Sequence, residues 1–195
     1  MTQEPGARRH AHDIPVDEVD LIDLVAREDV RAFEALYRAY YPRLARFLRR
    51  MLRQQGLVDE VLDDTMLVIW RKAHTYDASS KLSTWIFAIA YRQALRALRR
   101  GGQVAAADGD EPVAPAESGP EGALEHHQLH AQLDDSLALL SGEHRAVIEL
   151  TYYQGLSCRE IAAIMGCPVA TVKTRAFYAR RRLKVLLGAA GELAL

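Results

Sequence analysis

The sequence has only two cysteines, Cys158 and Cys167, in 195 residues. Two thiols cannot build a disulfide framework, and their scarcity fits a reducing, cytoplasmic compartment. No apolar run approaches the roughly 20 residues that span a bilayer, and the mean hydropathy is −0.14. Membrane insertion is therefore not expected. Residues 1–20 are polar and acidic, without the apolar core of a secretory signal. There is no phosphate-cradling glycine loop, nucleophile elbow or metalloprotease signature, so neither an enzyme nor a cofactor is expected. Glycine and proline are almost missing between Leu21 and Arg100, where Gly56 and Pro42 are the only examples. Lysine and arginine are missing altogether from residues 101–143.

That last absence changes the reading of the overall charge. A formal net charge of −1 argues against a polyanionic partner. Counted by segment, residues 1–28 carry −4, residues 29–100 carry +7, residues 101–143 carry −9 and residues 144–195 carry +5. Two basic blocks are separated by an acidic spacer. Local field, rather than the total, decides attraction to a phosphate backbone, although a basic block is also what a solvated helical surface looks like.

What is present is helical periodicity. Apolar sets run Phe33, Leu36, Tyr37, Tyr40, then Leu44, Phe47, Leu48, Met51, Leu52, then Val58, Val61, Leu62, Thr65, Ile69. A fourth set is Trp85, Ile86, Ile89, Ala90, Leu95, Leu98. Their spacing predicts four helices, with Pro42 in the first turn of the second and Gly56 at the break before the third. Tyr76 to Lys81 is a polar, turn-forming interruption. Residues 21–100 therefore read as one helical bundle, preceded by a disordered acidic arm over 1–20. Residues 101–125 hold five glycines, three prolines, six alanines and no aromatic residue. Such a stretch cannot bury enough apolar surface to offset its ordering entropy and reads as a linker. Periodicity resumes with Leu129, Leu133, Leu137 and Leu140, so residues 126–188 form a second helical domain, followed by a tail over 189–195.

The second domain carries the most specific local signal. Ser157 and Glu160, three apart and followed by Ile161-Ala162-Ala163-Ile164-Met165, form a capping box that opens a short helix. Gly166 can supply the left-handed residue that ends it, and Pro168 opens the next helix, expected over 169–187. That helix has an inward stripe of Val172, Ala176, Ala179, Leu183 and Leu186. Its other faces carry Thr171, Lys173, Thr174, Arg175, Phe177, Tyr178 and Arg181. A short helix, a tight turn and a basic second helix describe a helix-turn-helix, whose second helix reads base edges in the major groove.

With these residues in hand, the sequence resembles the extracytoplasmic-function (ECF) group of the sigma-70 family of bacterial RNA polymerase sigma factors. Asp29 to Tyr37 is similar to the start of sigma region 2, and Asp59 to Ala73 resembles its core-binding helix. Thr84 to Ala90 and Ala94 to Arg100 resemble its promoter-facing helix. Gly155 to Ala162 and Pro168 to Arg175 resemble region 4. Asp63 and Asp64 stand where the core-binding helix commonly has Gln and Glu. Arg92 stands where Asn is frequent, and Ala170 where Gly is common.

The resemblance implies an all-α fold of two small domains and a role in promoter-specific transcription initiation. Asp59, Glu60, Asp63, Asp64 and Trp70 would meet the RNA polymerase core, although acids at a helix start are favoured by the helix dipole in any case. Tyr76, Ser79, Ser80, Lys81, Trp85, Arg92 and Arg96 would engage the −10 element, with Arg99 and Arg100 extending the basic edge. Ile86 and Ile89 read as bundle core. The face from Thr171 to Arg181 would read the −35 element. Implied partners are the polymerase core, promoter DNA and an anti-sigma factor. A stand-alone helix-turn-helix repressor or activator is the alternative. His126, His127 and His130 lack the further ligands of a metal site, and none is expected.

Overall fold

The structure is a computed structural model that describes residues 18–52, 54–100 and 133–192. The expected linker, His126, His127, His130, most of the acidic arm and residues 193–195 lie outside the described residues. Every regular element among the described residues is helical.

The first group comprises α1 (Glu18–Ala26), α2 (Val30–Leu52), α3 (Gln55–Lys72), a 3-10 turn (Ala73–Thr75) and α4 (Leu82–Arg100). Asp29 starts α2 by accepting from the Arg31 and Ala32 amides at 2.8 and 3.0 Å, the capping expected of an aspartate at that position. The two apolar sets on either side of Pro42 belong to one continuous helix, not two. Proline removes one intrahelical bond, but Pro42 is on the exposed side, and the buried stripe of Leu36, Tyr40, Leu44, Phe47 and Leu48 carries the helix through. Gly56 sits inside the first turn of α3, which Gln54 precedes as the N-cap residue, rather than at the break before the helix. The Tyr40 hydroxyl donates to Glu18 Oε1 at 2.7 Å and ties α1 across α2. Burial, then the adjacent carboxylate, pushes the acidity of that phenol well below normal.

The second group comprises α5 (helical over 133–138), α6 (Gly142–Ile148), a π-helical turn (Glu149–Tyr153), α7 (Cys158–Met165) and α8 (Val169–Glu192). The capping box is formed in full, and Gly166 closes α7 at φ 65° in the left-handed region. Both features follow from the sequence.

The two groups are not separate bodies. Ala146, Val147, Leu150, Ile161, Ile164 and Val172 join the α2–α4 side chains in one apolar core. Helix α7 lies on α4, and α6 lies on α2. The reason is visible in α4. Its first half, Leu82 to Tyr91, is buried on nearly every side except at Trp85. A helix that is apolar all round needs cover on both faces. Helices α2 and α3 supply one cover, and the helix-turn-helix supplies the other.

Leu44 is fully buried at the centre of the first group. Leu44→Ala should lower the unfolding free energy by about 3 kcal/mol, measured by urea denaturation. A loss below about 1 kcal/mol would contradict this placement.

Candidate nucleic-acid and polymerase interface

Three exposed surfaces carry the chemistry singled out in the sequence. The first is the outer face of α8. The inward stripe of Val172, Ala176 and Ala179 is buried, which leaves Lys173, Thr174, Phe177, Tyr178 and Arg181 exposed together. Phe177 and Tyr178 meet edge to face at 5.5 Å, so two large rings stand in solvent beside cationic side chains. Thr171 is half-buried at the rim. Arg175 is not on this face. It pairs with Glu143 and lies 3.6 Å from the Cys167 sulfur, at the junction with α6. Cys158 and Cys167 are free, half-buried thiols at opposite ends of α7.

The second surface is the loop before α4. Tyr76 donates through its hydroxyl to the Ser80 carbonyl at 2.6 Å, which fixes the loop as a closed bend. Asp77 accepts from the Ser79 amide at 3.0 Å, and Ala78 takes a left-handed φ of 56° at the apex. The Tyr76 and Trp85 rings lie 5.7 Å apart. Ser79 and Lys81 are exposed, and Ser80 is half-buried. Along α4, Arg92, Arg96, Arg99 and Arg100 are exposed and continue the surface as a basic edge. Ile86 and Ile89 are core, as their spacing predicts.

The third surface is the outer face of α3. Asp59, Glu60 and Asp63 are exposed and Asp64 is half-buried. Asp59 accepts from Gln55, and Glu60 pairs with Arg100 at 3.2 Å, so part of the acidic row is already partnered. Trp70 lies further along the helix and is half-covered by Phe33, ring centroids 5.0 Å apart. Sequence reasoning passed over Leu67, which is 42% exposed between the acids and Trp70. A single leucine in a helical pattern is assigned to the core by default, and only the structure shows that it faces out.

Two further features were not legible. An apolar cavity of about 360 Å³ opens on the second group, lined by Leu133, Leu137, Ile148, Tyr152, Leu183 and Leu187 among others. Between the groups lies a network of buried charge. Glu149 is 2% exposed, and its Oε2 accepts from Arg50 at 2.7 Å. Burial pushes the Glu149 carboxyl up, opposed by the nearby Arg50. Arg145 is 7% exposed and donates to the carbonyls of Leu137, Ala138 and Leu140 in its own group, and to that of Arg50 across the junction at 2.7 Å. No group of potential metal ligands occurs among the described residues. None of the described helices is long and apolar enough to cross a membrane.

Comparison with known proteins gives the family. Residues 36–103 match the model for sigma-70 region 2, and residues 130–183 match that for sigma-70 region 4. The ECF RNA polymerase sigma factor RpoE of Cereibacter sphaeroides is 32% identical over 178 residues, covering 86% of this chain and 97% of that protein. The ECF sigma factor SigL of Mycobacterium tuberculosis is 31% identical over 170 residues, covering 83% and 92%. Among solved structures, the sigma factor RpoE in complex with the anti-sigma factor NepR from Bartonella quintana superposes with a TM-score of 0.66. It is 28% identical, over 82% of this chain and 98% of that one. CnrH in complex with the cytosolic domain of CnrY also gives 0.66, at 25% identity over 88% and 97%.

The capping box of α7 can be tested directly. Glu160 Oε2 accepts from the Ser157 amide at 2.7 Å and from its hydroxyl at 2.6 Å, which holds the carboxyl at about 2. A depressed folded pKa contributes stability above the ordinary carboxylate range. That contribution should fade as pH falls from about 4.5 to about 2. Ser157→Ala should cost about 1 kcal/mol at neutral pH and flatten this acid limb in a pH series of urea midpoints. An unchanged acid limb would remove the cap as its source.

Proposed function

The chain belongs to the ECF group of the sigma-70 family, and from that premise we propose how its surfaces divide the work of initiation. The protein is a sigma factor that directs promoter-specific transcription. Residues 21–100 act as region 2, residues 126–188 as region 4, and residues 101–125 as the tether between them. The arm over 1–20 and the tail over 189–195 lie outside this division.

In this reading the α3 face of Asp59, Glu60, Asp63 and Asp64 docks on a basic surface of the polymerase core, with Leu67 supplying the apolar contact at its centre. Trp70 acts from the end of that face, held by Phe33. The Tyr76–Lys81 loop, with Trp85, receives an unstacked −10 base. Tyr76 and Trp85 offer ring faces, Ser79 and Ser80 offer hydrogen bonds, and Lys81 offers a phosphate contact. Extruding a base costs a few kcal/mol, which stacking and pocket contacts offset. Arg92 and Arg96, continued by Arg99 and Arg100, hold the adjacent backbone by charge.

On the second domain, Lys173, Thr174, Phe177, Tyr178 and Arg181 face the −35 duplex, with Thr171 at the rim. Arg175 contributes by fixing α8 against α6 through Glu143. The NepR and CnrY complexes of the related proteins support an anti-sigma factor as a further partner of this chain. The observation that carries the reading is the exposed basic and aromatic face of α8 on the same chain as the aromatic loop before α4. Neither a stand-alone repressor nor an activator needs the second of these. The chemistry of RNA synthesis belongs to the polymerase, and this chain supplies recognition.

Core polymerase supplemented with this chain should give run-off transcripts from a cognate promoter, and core alone should not. In that holoenzyme, Lys173→Ala should weaken promoter binding and reduce the slope of log K against log salt by about one. Lack of transcripts from every mapped promoter, with folded protein, would defeat the reading. An unchanged slope would remove Lys173 from the phosphate contacts.

A further inference from the structure

We propose that this chain carries a binding site for a small polyphosphate, in an arginine-lined cavity between α2 and the α5–α6 corner. The site is separate from the three surfaces assigned above, and it does not depend on the sigma reading.

The cavity has a volume of about 350 Å³, at the small end of the range for pockets that hold small molecules. Arg46, Arg49 and Arg50 line it from α2, and Arg145 lines it from α6. Residues three and four apart share one face of a helix, and like charges at that spacing are destabilising. Here a fourth cation joins three such neighbours. Asp134 is the one carboxylate among the described lining residues, and its Oδ1 pairs with Arg50 at 3.1 Å. Glu149, which does not line the cavity, takes the same guanidinium at 2.7 Å. Four guanidinium groups against two carboxylates leave positive charge in excess.

Two of the four guanidinium groups are fixed and two are available. Arg50 is clamped by Asp134, by Glu149 and by the Tyr153 ring, 3.9 Å from its guanidinium. Arg145 is held by the carbonyls of Leu137, Ala138, Leu140 and Arg50. Arg46 and Arg49 are exposed, and neither makes an ion pair among the described residues. Arg49 donates through Nε to the Ala45 carbonyl of its own helix at 3.3 Å, which leaves its terminal nitrogens to a ligand. Arg46 opposes, with Arg50, the burial that pushes the Glu149 carboxyl up, so its charge is felt at the same place. The fixed pair supplies a standing positive field, and the exposed pair supplies the donors that close on an anion.

The lining selects the class of that anion. A guanidinium is planar, and its parallel N–H donors match two phosphate oxygens at a time. Several converging forks suit a ligand with several phosphate groups. The rest of the lining is Leu137 and Ala138, and no aromatic ring contributes among the described residues. A nucleobase therefore gains no stacking inside the cavity. Recognition falls on a phosphate chain, whether free or carried by a nucleotide. Asp134 works against it, since its carboxylate competes for Arg50.

The test is isothermal titration calorimetry of the full chain with tripolyphosphate, divalent cations being removed by a chelator. Saturable binding at one site per chain is expected. Arg46→Ala and Arg49→Ala should each weaken it by about ten-fold. Asp134→Asn should tighten it by roughly two- to five-fold, the weight of an exposed charge pair. Arg96→Ala combined with Arg99→Ala removes two exposed arginines three apart on α4 and should leave the affinity unchanged. All these positions are exposed, and circular dichroism checks that each variant folds. ATP bound as tightly as tripolyphosphate supports a site for the phosphate chain alone. Tighter binding of ATP supports the same site with added nucleoside contacts outside the cavity. Three results would overturn the proposal: no saturable binding at millimolar tripolyphosphate, inorganic phosphate bound equally tightly, or an equal loss in the α4 variant. Short duplex DNA that needs Arg46 and Arg49, while tripolyphosphate does not bind, would also overturn it and assign these arginines to nucleic acid. Neither polymerase nor promoter enters the titration. A failure there leaves the sigma reading standing, and absence of run-off transcripts leaves the anion site standing.

Discussion

Helix α4 is the constraint on which the rest of the structure depends. Its first half is apolar around almost its whole circumference, and such a helix is stable in water only when covered on both faces. One cover comes from α2 and α3, which close a core with Phe47 edge-on to Phe87 at 5.5 Å. The other is α7, which begins at Cys158, far along the chain from the end of α4 at Arg100. The same helix turns basic in its second half, with Arg92, Arg96, Arg99 and Arg100 exposed. A helix that begins as core and ends as an exposed basic edge is therefore both the structural centre of region 2 and the carrier of the surface proposed to face DNA.

The character of the junction follows from that dual role. An interface made only of leucine and isoleucine would hold the two domains together at all times. This one mixes Val147, Leu150, Ile161 and Ile164 with a buried Glu149 paired to the partly exposed Arg50, and with Arg145, whose guanidinium satisfies four carbonyls. A buried pair of this kind is weak evidence for stability, but removing one partner leaves an uncompensated charge. The π-helical turn from Glu149 to Tyr153 is the local device that brings Glu149 to Arg50 and sets the Tyr153 ring 3.9 Å from the same guanidinium.

Much of this was legible in the amino-acid order. Ser157 and Glu160 predict the start of α7, Gly166 its end, and the Val172–Ala176–Ala179 stripe the inward face of α8, because each rests on local chemistry. The presence of two helical domains and the basic face between Lys173 and Arg181 followed from periodicity and segment charge. Pro42 was misread as a boundary because a proline's cost is local, whereas the five buried side chains that override it are a tertiary effect. Arg175 could not be separated from its cationic neighbours, since its partner Glu143 is 32 positions away in the chain. The closed junction was beyond the sequence altogether. Two domains joined by an acidic linker read as independent units, and nothing local in Arg50, Arg145 or Glu149 marks them as mutual partners.

The account centres on one chain that reads two promoter elements at once, and only on the polymerase. Footprinting on a mapped promoter, with permanganate probing of thymines, tests that claim most directly. Chain and core polymerase together should protect the −35 duplex and render −10 thymines reactive on the same DNA. The free chain should render none reactive. Protection of a discrete site by the free chain, with no reactive thymines when core polymerase is added, would contradict the account.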